Sequence, residues 1–316
     1  MQRFLAHGLI LESDLELPLP EFDSVGPADI VCATALDDRW TDRIDSPLYS
    51  RPDSFEEPSC FDHWTNDGLV VEFVGQAVML ITAHSVTVIA QETDDVDLLT
   101  HLVLYHVLPR VVSLRGDLML HGAGAVGPSG MAHILLGDSG MGKSTLGSAM
   151  AAQGWPLLDD DGIRVITIDG CPHAVPGYAG VRLLPDSAKT VLPHGVPGRA
   201  MARGHRKRRF ALTNTGLTMA PTPAPIGALY ILERTRRHTA SAERLGLGRS
   251  SVALIDHGFH LTSAPADVAR QAFKLSADLA GTVPVWTLRA PAGLRRLGST
   301  LELLRKFDDA LITERR

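Results

Sequence analysis

The chain has 316 residues, enough at the usual ~150 residues per domain for about two domains, or one large one with an appendage, and for a full buried core. Its 30 Lys+Arg against 36 Asp+Glu leave a formal charge of −6, which argues against duplex nucleic acid as the main partner. A hydrophobic content of 45% with 21% charged residues excludes a disordered or collagen-like chain, and Cys32, Cys60 and Cys171, far apart and without a CxxC pair, suggest neither a disulfide framework nor a structural zinc site. The opening stretch MQRFLAHGLILESDLELPLPE is broken by Glu and Asp, and no window reaches the ~18 unbroken apolar residues of a membrane span. A cytoplasmic protein without a targeting segment or membrane partner is expected.

The first hundred or so residues alternate short β-like runs with Pro/Asp/Ser turns: Phe4 to Leu11, Ile30 to Ala33, Leu69 to Phe73, Val78 to Ile81 and Val86 to Ile89. DLLTHLVLYHVLPRVVS, from Asp97 to Ser113, is apolar at helical spacing and predicts a buried helix bent or ended by Pro109. From Leu118 the pattern changes. LMLHGAGAV, the turn GPSG at 127–130 and MAHILLG form a hairpin signal, followed by a Gly-rich loop at 137–142, a helix-like KSTLGSAMAAQG and a strand-like WPLLDD. Pro and Gly punctuate 172–204, and a basic run fills 203–209. Strands are expected at Ile226 to Leu232, Val252 to Ile255 and in VPVWTLR, with helices in ADVARQAFKLSADLAG and AGLRRLGSTLELLRKF.

Residues 137–145, GDSGMGKST, fit G-x-x-x-x-G-K-[ST], with Gly137, Gly142, Lys143 and Ser144 at the defining positions. The context fits as well: Ile134, Leu135 and Leu136 run into the loop, and an Ala-rich helix runs out. The expected phosphate cradle comprises Gly137, Asp138, Ser139, Gly140, Met141, Gly142, Lys143, Ser144 and Thr145. In such a loop glycines turn backbone N–H groups onto phosphate oxygens, the helix N-terminus adds partial positive charge, the lysine bridges the terminal phosphates and the serine hydroxyl serves Mg²⁺. The alternative is a Gly-rich turn with a surface lysine.

Asp159, Asp160 and Asp161 end the next strand-like run. In a βαβ crossover that strand ends at the same edge as the phosphate loop, and three adjacent acids repel one another unless a cation compensates. Asp160 and Asp161 would face opposite sides of an extended strand and divide the work between a metal carboxylate and a base. A solvated acidic turn is the alternative. If Val126 pairs with Met131 across the turn, His121 lies opposite Leu136 and within reach of the loop, unless it is a core histidine bonded to backbone. The run RGHRKRR, 203–209, with five Lys/Arg, is either a clamp for substrate or transferring phosphate, including Arg206, Lys207 and Arg208, or a solvated basic loop.

LHGAGAV, GDSGMGKS, Gly154 and LLDDD together resemble the kinase domain of HPr kinase/phosphorylase over about residues 115 to 290. The resemblance implies an α/β, HPr kinase/phosphoenolpyruvate carboxykinase-like P-loop kinase domain over 115–316. A small, mostly-β N-terminal domain with a linking helix, over 1–114, would help recognise a peptide. It implies an active-site His121, Lys143 and Ser144 on ATP phosphate and Mg²⁺, Asp160 as general base toward a serine, and Asp161 as the metal-side acid. By position Arg182, Lys207 and Arg208 become phosphate or substrate contacts. The family commonly places an acid after the loop serine where this chain has Thr145, and its GxGILDxRxLFG-like signature is replaced by PGYAGVRLLPDSAK at 176–189. That stretch, LILESDLELPLPE and LPRVVSLRGDLMLHGAGAV look more like the HPr-kinase-like lasso peptide kinases, which phosphorylate the C-terminal serine of a precursor.

The expected function is therefore an ATP- and Mg²⁺-dependent kinase for a serine of a peptide or small protein, in its narrowest form a lasso precursor. The rival enzyme is a kinase for HPr or a small metabolite. A nucleotide-driven regulatory ATPase is the rival of another class, and a nucleic-acid-processing ATPase rests only on RGHRKRR. The family's oligomers leave a homo-oligomer open.

Overall fold

The computed structural model describes residues 1–23, 25–35, 60–91, 95–201, 205–259 and 264–314. The chain divides into two compact units: Met1–Gly116 with Ala200–Lys207 and His260–Gln271, and Asp117–Arg199 with Arg208–Phe259 and Ala272–Arg316. Among the described residues no helix is long and apolar enough to cross a membrane.

The first unit opens with β1 (Gln2–Ala6) and β2 (Leu9–Ser13), antiparallel with Ala6 opposite Leu9. Phe4 to Leu11 is therefore a hairpin and not one strand. His7 (φ 51°) and Gly8 (φ 69°) both adopt left-handed backbone, as the tight two-residue turn that matches strand twist requires. β3 (Ile30–Thr34), β4 (Cys60–Trp64), β5 (Leu69–Phe73), β6 (Ala77–Ile81) and β7 (Ser85–Gln91) complete a seven-stranded sheet in the order β1-β2-β3-β7-β6-β5-β4.

α1 (Val96–His101) follows, its N-terminus capped by the Asp95 carboxylate, which accepts from the Leu98 amide at 3.1 Å. A π-helical stretch, Leu102–Val107, then leads into α2 (Leu108–Leu114). Pro109 neither ends nor breaks this segment. Its ring would crowd the carbonyl one turn back and its missing N–H would leave that carbonyl unpaired, but the wider π winding lies immediately ahead of it. Burial pushes the Cys32 thiol up to about 12, with Asp14 adding to the shift, so it is no nucleophile at neutral pH.

The second unit begins with β8 (Leu118–Val126), β9 (Ala132–Leu136), α3 (Lys143–Ala151), β10 (Leu157–Asp159), β11 (Gly162–Ile168) and β12 (Cys171–Val175). β13 (Gly180–Leu183), α4 (Pro185–Val191), β14 (Arg199–Ala200), β15 (Arg208–Ala211) and β16 (Ala224–Thr235) follow. It ends with β17 (Ser241–Arg244), α5 (Leu247–Asp256), β18 (Val285–Pro291) and α7 (Leu297–Glu314), while α6 (Ala266–Thr282) belongs to the first unit up to Gln271 and to the second from Ala272.

Two long strands organise its sheet. β8 pairs with β11 through Leu118–His121 and with β9 through Gly122–Val126, while β16 pairs with β12 near Ala224 and in parallel with β9 from Ile226 to Ile231. The pairings β8, β11, β12, β16, β9 thus return to β8. Alternation then separates two apolar clusters. Ile134, Leu136 and Leu229 share one with Leu118, Leu120 and Ile163, and Leu135, Tyr230 and Leu232 share the other with Leu146 and Met150 of α3 and Leu301 and Leu304 of α7. Each fully buried side chain of this size contributes roughly 1.5–3 kcal/mol.

The β8–β9 register differs by one from the expected pairing. Gly122 faces Leu136 and Val126 faces Ala132, because the Gly127 amide bonds the Met131 carbonyl and Gly130 turns left-handed (φ 77°), leaving a three-residue loop. His121 therefore does not face Leu136; it faces Gly162 on β11. Val252 to Ile255 is not a strand. Ser250 and Leu254, one helical turn apart, are the buried positions of α5, and this i, i+4 spacing decides for a helix.

Candidate functional site

The phosphate-type loop leaves the end of β9, flanked by β8 and β16. Gly137 needs its glycine twice over: its φ is 141°, and a Cβ would meet the Leu232 carbonyl oxygen of β16 at 3.2 Å. The tip, Asp138 to Gly140, is exposed, and the Met141 amide closes back on the Asp138 carbonyl at 3.2 Å. Gly142, in the left-handed region at φ 93°, starts α3. The buried Lys143 amine donates to the carbonyls of Gly137 (2.5 Å) and Asp138 (3.2 Å), so its charge is held over the loop's own backbone. Thr145 turns its hydroxyl toward α4, donating to Ser187 at 3.0 Å.

The acids meet this loop through β8. Leu136 at the end of β9 faces Gly122, and Asp159 at the end of β10 faces Gly124, so both strand ends lie along one short segment of β8. The contact is direct: the Ser144 hydroxyl donates to the Asp160 carbonyl at 3.3 Å.

The three acids have different surroundings. Asp159 is buried; its Oδ1 accepts the amides of Asp161 (2.8 Å) and Gly162 (3.3 Å), while Oδ2 makes no hydrogen bond among the described residues and lies against Gly177, which has no room for a Cβ. Burial first, then the neighbouring Asp160 charge, pushes the Asp159 carboxyl up to about 8 against the pull of those two amides. Asp160 is 1% exposed and accepts the Arg182 amide at 2.6 Å, with the Arg182 Nε 3.8 Å from its other oxygen. Asp161, its side chain 13% exposed, pairs with the Arg182 guanidinium and lies 3.6 Å from the His121 ring.

His121 is tied in on both sides. Its amide donates to the His257 carbonyl at 2.7 Å, and the neighbouring Gly122 amide donates to the Asp161 carbonyl at 2.9 Å. His257, which the sequence did not single out, follows α5 and is half-buried. Burial lowers its pKa, with the Lys143 ammonium pushing the same way and Asp138 opposing, so its ring feels the phosphate loop electrostatically. Arg234 on β16 was also missed: its guanidinium lies over Gly142. Both are distant in sequence from the loop and carry no local motif.

The basic residues are dispersed. Arg182 on β13 stands opposite Arg209 on β15; both are buried, and Arg182 serves the acids. Arg208 is exposed and donates to the Gly198 carbonyl at 3.2 Å. Arg206 and Lys207 belong to the first unit, where the Lys207 amide donates to His205 at 3.2 Å. Arg203 and Gly204 lie outside the described residues.

Among the described residues no three His, Cys, Asp or Glu side chains gather around one point; the hard oxygens near the loop are the Ser144 hydroxyl, bonded to the Asp160 carbonyl, and the carboxylates of Asp160 and Asp161, which Arg182 engages. Mg²⁺ takes one or two protein carboxylates and fills its octahedron with phosphate oxygens and water, so these residues fit it. A nucleotide triphosphate fits the loop on the same grounds, through amides at the start of α3 and an amine already at the loop.

No protein-family model matches the chain, and no curated protein is similar to it. Among solved structures, the HPr(Ser) kinase/phosphatase from Coxiella burnetii aligns over 61% of this chain and 92% of its own, at 12% identity and a TM-score of 0.36. A likeness of that size does not establish a shared fold.

Proposed function

We propose that the protein is an ATP- and Mg²⁺-dependent kinase that phosphorylates a serine of a peptide or small protein, with an HPr kinase-like catalytic unit. The observation that carries this reading is the hydrogen bond between Ser144, behind the phosphate loop, and the acidic strand end at Asp160. It joins a nucleotide-type cradle to a cluster that can hold a metal and accept a proton. The lasso precursor as acceptor rests on the resemblance of residues 176–189 and of the opening segment.

In this mechanism Lys143 and the loop amides hold the β- and γ-phosphates, and Ser144 with Asp161 would hold Mg²⁺, which would supply charge neutralisation at the phosphates. The acceptor serine oxygen attacks the γ-phosphorus, its proton passes to Asp160, and the bond to the β–γ bridging oxygen breaks, releasing ADP. Arg182 holds both carboxylates in position, and His121 supports Asp161. One observation favours exchanging the two acids' roles: Asp161 is the more open and lies 3.6 Å from the His121 ring, whereas Asp160 is buried.

Mass spectrometry of candidate precursor peptides incubated with MgATP tests the reading, the expected result being an added phosphate of about 80 Da on a serine, lost in Asp160→Asn. Phosphate release without any acceptor product, in wild type, would instead identify a nucleotide-driven ATPase. Magnesium titration separates the acids: the variant of the metal-side residue needs more Mg²⁺, whereas the variant of the base loses turnover at every Mg²⁺ concentration.

A further inference from the structure

We infer that Arg234, at the end of β16, is a second cationic side chain for the phosphates of the nucleoside triphosphate, acting with Lys143 and the amides of α3. The inference rests on the nucleotide-binding reading of the loop and names a binding residue that no loop motif contains.

Side chains alternate between the two faces of the sheet along β16. Tyr230 and Leu232 point to the face of the sheet that packs against Leu146 and Met150 of α3, while Leu229 and Ile231 point to the other face. Arg234, two residues after Leu232, continues the α3-facing row beyond its apolar part. The parallel register sets its height: Ile231 is level with Leu136, the last residue of β9, so Arg234 stands at the level of the loop.

Glu233, pointing to the opposite face, is held by Arg289 of β18 at 3.2 Å and cannot neutralise Arg234. Arg234 itself is exposed and makes no hydrogen bond or ion pair among the described residues. Its guanidinium instead covers the loop backbone: a Cβ on Gly142 would lie 2.9 Å from Nη2 and 3.6 Å from Cζ. The glycine at this position thus serves the left-handed turn and the close approach of a cation.

An arginine laid against Gly142 at the start of α3 adds its charge to the partial positive charge of the helix N-terminus, and an entering anion is drawn to both. A planar guanidinium suits that anion if it is a phosphate, which it can hold through two N–H groups.

Calorimetric titration with MgATP and MgADP on the full chain tests this. Arg234→Ala is expected to weaken ATP binding about ten- to a hundredfold, with Arg234→Lys recovering part of the loss and the melting temperature unchanged. Exposed Arg236, two residues on, serves as control, and Arg236→Ala should bind as wild type. If wild type binds ATP, Lys143→Ala does not, and Arg234→Ala binds within about twofold of wild type, the inference is overturned and the loop reading stands. If wild type binds no nucleotide, the loop reading fails and takes this inference with it.

Discussion

At Asp159 one carboxylate oxygen is bonded to two amides and the other faces Gly177 without a partner among the described residues, so charging the group is costly and its carboxyl titrates near 8. The folded-state value is raised above the unfolded one, so between about pH 4 and 8 the unfolded state gives up a proton that the folded state keeps, and stability falls as pH rises through that window. Asp159→Asn keeps the amide acceptor and removes the charge. Without nucleotide or metal it should melt at least about 2 °C above wild type at pH 8, the gap closing toward pH 5 in thermal scans; a pH-independent difference would count against the account. The sequence displayed three acids in a row and their general placement after a strand. Which of them is dry and which is open depended on Gly177, which the sequence did not single out, and on Arg182, which it marked only as a phosphate or substrate contact and which instead engages the acids. Lys143 and Ser144 were legible because the loop motif that contains them is contiguous in sequence. Arg234 and His257 were not, because strand pairing and the end of α5 bring them to the loop.

Between elements, the turn joining β8 and β9 is pinned from far along the chain. Asp308 of α7 accepts from the Ser129 amide at 3.0 Å and from the Ser129 hydroxyl, and lies 3.1 Å from the ring of His133, whose other nitrogen is 2.9 Å from the Tyr230 hydroxyl. Burial alone would raise the Asp308 carboxyl, but His133 and the two bonds from Ser129 outweigh it and hold the pKa below the usual value. Because the folded value is the lower one, this carboxylate adds stability above the ordinary carboxylate range and loses it as the pH falls through its lowered value. Asp308→Ala strands polar groups inside the fold and should cost about 3–5 kcal/mol at pH 7, a fall in melting temperature on the order of 10 °C. At acid pH, where wild type has lost the same contribution, the two proteins should converge; an equal gap at both pH values would refute the charge argument. The sequence exposed this hairpin but shifted its register by one, since GPSG does not reveal that Gly127 joins the ladder and only the next three residues form the loop. It also showed VALI near 252 as β-like, whereas burial of Ser250 and Leu254 on one helical stripe decided for α5.

The change of pattern near residue 115 is visible in the sequence, but the later returns of the chain are not, since nothing in the composition of 200–207 or 260–271 names their partners. Both segments belong to the unit that begins at Met1. Their links are particular: the ring of His205 lies 5.4 Å from that of His101 on α1, and Gln271 donates to the Gly116 carbonyl at 3.0 Å. The first unit is therefore not completed by its first 116 residues, and a polypeptide ending at Gly116 would lack packing on α1 and a bond at its own last residue. Its sheet supplies a core of its own, with Leu69, Val71, Phe73, Met79 and Ile81 buried, so the strands should still form and the loss should appear as easier opening. Hydrogen exchange is the suitable probe because it reads the same strand amides in fragment and full chain. Amides of β5 and β6 should exchange at least about tenfold faster in the fragment than in the full chain, equivalent to some 1.4 kcal/mol of lost opening free energy. Equal protection in both would show that the two returning segments add nothing to the unit they join.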